Sequence, residues 1–334
     1  MQIAPRSVLR AVVGIAVSIV ALVLVFGSVD LTATADVLRR AAPAWVALMA
    51  VFLTVDLVLR AFRWKRLLAP IRDVAFRSMF RYLLIGYLAN NVLPARLGEL
   101  VRCHYLGDRE GISRATALGT VVVERVIDIA VVVAIAATAI LVLSVRGVVA
   151  SAVVVGVAIG VLLAVALGLG VVAHRLPGAE RIAAAAERWP RIHEIAGKLR
   201  AGLSVAGRPR TLAQALAITI VAWGATLLGF ASAGQAVGVQ LTIGQASLLA
   251  SGVALAAAIP SGPASLGTFE LAAVRIGGAL GVAPEAAFAI ALLVHATILV
   301  ITSVGGIAAL ARLGWRRSPD AALTATAPRP NIAD

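Results

Sequence analysis

The stretch Tyr82–Asp128, YLLIGYLANNVLPARLGELVRCHYLGDREGISRATALGTVVVERVID, decides the fold. Its opening, residues 82–93, is apolar apart from the Asn90–Asn91 pair. Pro94 then interrupts any helix, because proline lacks an N–H and its ring clashes with the preceding turn. Arg96, Glu99 and Arg102 follow the break closely, and Glu124, Arg125 and Asp128 lie inside the next apolar run. Ionisable side chains inside such runs are costly at membrane depth and read as functional by default.

The chain around this stretch points to a membrane as the solvent. Of 334 residues, 61% are hydrophobic, with a mean hydropathy of +0.98. Soluble domains hold about 45–50% apolar residues. Several runs approach or exceed the ~20 residues that cross a bilayer. The reading is an all-α, polytopic helical membrane protein with about six full spans, at 8–27, 44–59, 115–144, 148–173, 212–233 and 284–311. The runs 82–93 and 245–259 are too short to cross and end in proline breaks, so they read as two re-entrant segments.

The net charge of +14 does not call for nucleic acid. The basic residues cluster at span ends, as cytoplasmic anchors facing anionic lipid do. Placing both termini in the cytoplasm puts Arg6, Arg10, the basic loop 60–81, the basic stretch 174–210 and Arg312, Arg316 and Arg317 inside. Arg39, Arg40 and Arg146 then fall outside. The expected organisation is a transmembrane domain over 1–314 and a disordered cytoplasmic tail over 315–334. Within the domain, 174–210 forms a cytoplasmic amphipathic segment, bent near Pro190, that lies on the membrane surface or packs on the bundle. The expected location is the plasma membrane. Val8–Gly27 reads as a first span, not a cleaved leader.

A second break echoes the first. Leu93-Pro94-Ala95-Arg96-Leu97-Gly98-Glu99 compares with Gly262-Pro263-Ala264-Ser265-Leu266-Gly267-Thr268-Phe269-Glu270. Each follows an apolar helix and carries a proline, then Leu-Gly and a glutamate. Paired Gly/Pro-interrupted segments in the two halves of a chain point to an inverted repeat with a substrate site between them. The break residues are Pro94, Gly98, Pro260, Gly262, Pro263 and Gly267.

Broken helices free backbone N–H and C=O groups, which must face protein or a wet cavity. The candidate substrate-binding set is Asn90, Asn91, Arg96, Glu99, Arg102, Glu124, Arg125, Asp128 and Glu270. Arg96, Arg102 and Arg125 suit phosphate oxygens. Glu99, Glu124 and Asp128 could hold those arginines, bind a cationic group or carry protons. Plainer roles are open for each. Arg102 and Arg114 could anchor at the interface. Arg125 and Asp128, at i,i+3, could form a structural ion pair. Asp56 could pair with Arg60, and the asparagines could satisfy freed backbone. Glu270 has only Arg275 nearby in sequence, and His295 reads as a hydrogen-bonded packing residue.

Lone Cys103 excludes an intrachain disulfide, and the four histidines lack metal-ligand spacing, so no metal and no cofactor are expected. Gly197-Lys198 has no upstream glycine that would make a P-loop.

Together, Asn91…Leu93-Pro94-x-Arg96-x-Gly98-Glu99-x-x-Arg102, Glu124-Arg125-x-x-Asp128 and Pro260…Leu266-Gly267-x-x-Glu270 resemble the lysylphosphatidylglycerol synthase transmembrane-region family, over residues 8–312. This is the flippase-like domain of multiple peptide resistance factor proteins, which also exists as stand-alone members. The resemblance implies translocation of an amphiphilic lipid between leaflets, with membrane lipids as partners and no catalytic residues. In two-part relatives a soluble aminoacyltransferase follows. The short tail here leads to the expectation that lipid aminoacylation is not carried by this chain and that a separate lipid-synthesising enzyme or membrane partner supplies the lipid. Two other readings stand beside it: an integral-membrane enzyme or accessory subunit of lipid or lipid-linked glycan metabolism, and a non-catalytic scaffold.

Overall fold

The computed structural model describes residues 5–93, 97–147, 151, 154–158, 161, 162, 165, 190–258 and 261–314. Among them the chain is helical with no strand. The helices are α1 (Pro5–Phe26), α2 (Leu31–Arg39), α3 (Pro43–Leu68), α4 (Phe76–Val92), α5 (Gly98–Glu110), α6 (Arg114–Leu143), α7 (Pro190–Leu203), α8 (Pro209–Ala236), α9 (Ile243–Ala257), α10 (Thr268–Ala279) and α11 (Pro284–Gly314). Helices α3, α6, α8 and α11 are long and apolar enough to cross a membrane, and α1 with α2, bent by 83°, makes a fifth if taken together. The protein is a polytopic helical membrane protein.

Local chemistry sets the boundaries. Asp30 caps α2, its carboxylate accepting from the N–H groups of Thr32 and Ala33. Prolines 43 and 209 start α3 and α8, where the missing N–H costs nothing. Thr242 and Gln245 form a capping box at α9. Gly111, at φ 66°, ends α5 in the left-handed conformation that glycine adopts freely.

Two sets of four helices share one plan. In α3–α6 the lengths are 26, 17, 13 and 30 residues; in α8–α11 they are 28, 15, 12 and 31. Each set runs long, short, break, short, long. The contacts are reciprocal as well. The equivalent helices α3 and α8 pack extensively together, α4 packs on α11, and α9 packs on α6. That is the pattern of a pseudo-twofold repeat. At about 1.5 Å per residue the short helices α4 and α9 reach some 22–26 Å, less than the ~30 Å hydrocarbon core.

The outer surface is apolar, with Leu141, Ile220, Val221, Val300, Val304 and Ile307 all exposed, while Arg63, Glu124, Glu270 and His295 are buried. This reverses a soluble protein, as expected for a bundle whose solvent is lipid. One boundary differs from expectation. The second span, expected to end at Leu59, continues as α3 to Leu68, so Arg60, Arg63, Lys65 and Arg66 are helical and not part of a loop. Ala61, Trp64, Leu67 and Leu68 keep one face of that extension in the core, and buried carboxylates meet the arginines. Segment 190–203 forms α7, which packs along α6. The tail 315–334 and most of 148–189 lie outside the described residues.

Candidate functional site

The two breaks meet at one cavity of about 310 Å³. The first break contributes Asn90, Asn91, Gly98, Glu99 and Arg102; the second contributes Gly262, Ala264 and Ser265; α6 adds Arg125 and α11 adds His295. Asp56, Arg60 and Trp223 complete the wall from α3 and α8.

At the first break, Asn90 Oδ1 accepts the freed Gly98 N–H at 2.7 Å. Gly98 sits so close to Gly86 that an added Cβ would lie 2.0 Å from the Gly86 carbonyl oxygen. Only glycine lets the backbones approach this far. Asn91 Nδ2 donates to Thr302 Oγ1 (2.9 Å) and Ser303 Oγ (3.0 Å), tying this break to the other half of the molecule.

Behind the break lies a charge network drawn from three helices. Arg63, fully buried on α3, donates to both oxygens of Asp128 (2.6 and 2.9 Å) and to Thr219 Oγ1 (2.8 Å), and its Nη2 lies 3.1 Å from Glu124 Oε1. Arg102, from α5, reaches Glu124 at 3.2 Å while its guanidinium rests over Trp64, 4.6 Å from the ring centroid. Arg125 donates to Glu124 at 2.8 Å and lies 3.5 Å from Asp128. Arg60 grips Asp56 at 2.7 Å and lies 3.6 Å from Asp128. Four guanidiniums thus face three carboxylates. Burying unlike charges together is tolerable only when their hydrogen bonds are nearly complete. They are, with two exceptions: Nε of Arg63 and Nε of Arg125 lack partners. Arg125 is the most accessible of the four, its side chain 38% exposed against 13% or less for the others. Its guanidinium is the part of the network most open to the cavity, which Glu99 also lines.

The second break is held differently. Ser18 Oγ on α1 accepts the Gly262 N–H at 2.9 Å. Gly267, at φ 86°, starts α10, and its N–H donates to Glu270 Oε2 at 2.7 Å. The other oxygen of Glu270 lies 2.5 Å from His295 Nδ1. His295 Nε2 in turn lies 2.9 Å from the Ala264 carbonyl oxygen, and the ring stacks on Phe269 at 4.3 Å. Ala264 and Ser265 both adopt positive φ (57° and 58°), an uncommon conformation outside glycine.

Of the residues singled out from sequence, Asn90, Asn91, Gly98, Glu99, Arg102, Arg125 and Gly262 line the cavity. Glu124 and Asp128 stand one layer behind, bound to its arginines, and Glu270 stands behind His295. Pro263 opens the short 3-10 turn of the second break and Gly267 closes it. Pro94, Arg96 and Pro260 lie outside the described residues. Sequence reasoning placed Arg63 in a loop and His295 among packing residues. The helical spacing of Leu57, Ala61, Trp64 and Leu68 carried the signal for the first; nothing in spacing joins His295 to Glu270, 25 residues away.

Comparison with known proteins gives the frame. The glycosyltransferase AglD of Haloferax volcanii is 27% identical over 94% of this chain, which matches 56% of AglD. A UPF0104 membrane protein of Methanothermobacter thermautotrophicus is 31% identical over 37% of the chain and 36% of its own length. One from Methanocaldococcus jannaschii is 35% identical over 28% and 29%. The chain therefore spans about half or less of the curated relatives it matches. No solved structure matches. Residues 11–306, which include both breaks and the charges behind them, match one family model, and the chain belongs to that family, the lysylphosphatidylglycerol synthase TM region.

Proposed function

We propose that this protein moves a lipid with an anionic or zwitterionic headgroup, or a lipid-linked glycan, between the leaflets of the plasma membrane, taking the headgroup into the cavity between the two breaks. One observation carries the reading: both interrupted helices of a pseudo-twofold repeat open onto the same polar cavity. Such a site lets either side of the membrane be served by a shift of one half against the other. Arg125 is the assigned headgroup contact, since it lines the cavity and its side chain is the most accessible of the four guanidiniums in the network. A guanidinium in that state suits a phosphate oxygen. Asn90, Asn91, Glu99 and Arg102 shape the rest of the polar wall.

The test is reconstitution into vesicles carrying tail-labelled lipids. Wild-type protein should equilibrate the label between leaflets faster than protein-free vesicles do. Arg125→Glu should slow this at least about tenfold, the equivalent of one lost charge-assisted hydrogen bond. Wild-type vesicles no faster than protein-free ones would end the proposal.

A second reading is favoured by the name of one relative, a glycosyltransferase. In it the chain serves sugar transfer from a lipid carrier, as enzyme or accessory subunit. Sugar transfer by the purified protein, with labelled lipid left in its original leaflet, would select that reading.

A further inference from the structure

His295 lines the cavity and its contacts leave a proton to be accounted for. The Ala264 carbonyl can only accept, so Nε2 carries a hydrogen and donates it at 2.9 Å. Nδ1 then faces Glu270 Oε1 at 2.5 Å. Were histidine neutral and glutamate ionised, two lone pairs would confront each other at that separation. One further proton must lie between them, on either partner, and the pair as seen is neutral. Loss of that proton to cavity water leaves one negative charge and a repulsive contact.

Among the described residues, no other group on the surrounding elements neutralises that charge at close range. Helix α9 has no titratable residue, and Arg6 and Arg10 of α1 lie at its N-terminal end. Arg275 of α10 is exposed; Glu285 of α11 sits in that helix's first turn, near the Asp30 N–H; Asp36 and Arg39 of α2 form an exposed pair. Of the more distant neighbours, α8 carries only Arg210, at its far end. The charged groups that face the pair do so across the cavity: Asp56, Arg60, Glu99, Arg102 and Arg125, with the Tyr87 hydroxyl beside them. The pair also fastens the second break at two points, through the Gly267 N–H and the carbonyl of Ala264, whose positive φ is strained.

We propose that Glu270 and His295 form a proton-binding site, that releasing its proton loosens the second break, and that lipid movement by this protein is coupled to proton movement. The inference rests on the translocation reading above. One proton crosses for each turn of the cycle, and it leaves as it came, to and from water in the cavity.

Purified protein in phosphatidylcholine–phosphatidylglycerol vesicles with tail-labelled phosphatidylglycerol tests it. With one proton per lipid, an imposed difference of one pH unit should move the steady-state leaflet ratio by up to about tenfold. A protonophore should abolish the shift, and Glu270→Gln and His295→Gln should abolish gradient-driven accumulation of label; a gradient response that survives in both variants overturns the site. Label that equilibrates in wild type at a ratio indifferent to the gradient overturns proton coupling and leaves translocation standing. Label that fails to move overturns both. Where either variant does not fold, ¹⁵N-labelled histidine in unmutated protein supplies the assignment. One ring should carry its hydrogen on Nε2 while Nδ1 shares a proton with a carboxyl group, and the absence of such a ring overturns the site.

Discussion

At the first break, Arg60, Arg63, Arg102 and Arg125 are locked onto Asp56, Glu124 and Asp128; at the second, Glu270 and His295 face each other with hydroxyls around them. The backbones are handled alike. Each break has a side-chain oxygen on a freed N–H: Asn90 for Gly98 at the first, Ser18 for Gly262 and Glu270 for Gly267 at the second. The charges are handled in opposite ways. Guanidiniums do not lose their protons in proteins, so the first wall is permanently charged. The second holds the side chain whose charge changes most readily near neutrality. On the proposed reading, one half of the repeat offers fixed charge for a headgroup, and the other offers charge that can be withdrawn.

The contrast should appear first in stability. Arg63→Met strips Asp128 and Glu124 of a fully buried partner and should cost about 3–5 kcal/mol, as breaking buried ion pairs does. Glu270→Gln keeps an oxygen for the Gly267 N–H and should cost only about 1–2 kcal/mol. Unfolding in detergent measures both, and equal losses would erase the distinction between the two walls. The likeness of the backbones should show next. Asn90→Ala and Ser18→Ala each orphan one buried N–H and should each cost about 1–2 kcal/mol; a large inequality would mean that the breaks are not equivalent. The smallest effect lies outside both. The Lys65 ammonium, by its hydrogen bond and its charge, holds the exposed Asp73 carboxyl below the usual carboxylate range. Its folded-state value is depressed, so any contribution is present above the unfolded value and is lost as pH falls through the folded one. On the surface this is weak. Asp73→Asn should melt with wild type at neutral pH, and a clear shift would show charge outside the network to be structural too.

Much of this was legible because the membrane makes polarity conspicuous. Asn90 and Asn91 stood out in an apolar run, as did Glu124, Arg125 and Asp128, and these residues gather around or directly behind the cavity. The repeat was legible only as two short Pro/Gly motifs, whereas the structure expresses it in helix lengths and reciprocal packing that no local pattern encodes. Arg63 was hidden by hydropathy itself. Arg60 and Arg63 end the apolar window at Leu59, although Ala61, Trp64 and Leu68 continue the helical stripe. The partners of Arg63 lie on α6, 61 to 65 residues away in sequence, a pairing that only tertiary structure reveals. Glu270 was measured against Arg275, the nearest cation along the chain, but its partner came from the facing helix.

The crossing of α6 and α7 has a mechanical meaning. Thr116 donates to the Lys198 carbonyl, and Gly119 meets Gly202 so closely that a Cβ on Gly202 would fall 2.1 Å from the Thr116 carbonyl oxygen. No pliable side chain cushions this joint. Glu124 lies only about 8 Å farther along the same rod, at 1.5 Å per residue. A tug on α7 from outside the bundle would therefore travel down α6 with little slack and arrive among the arginines.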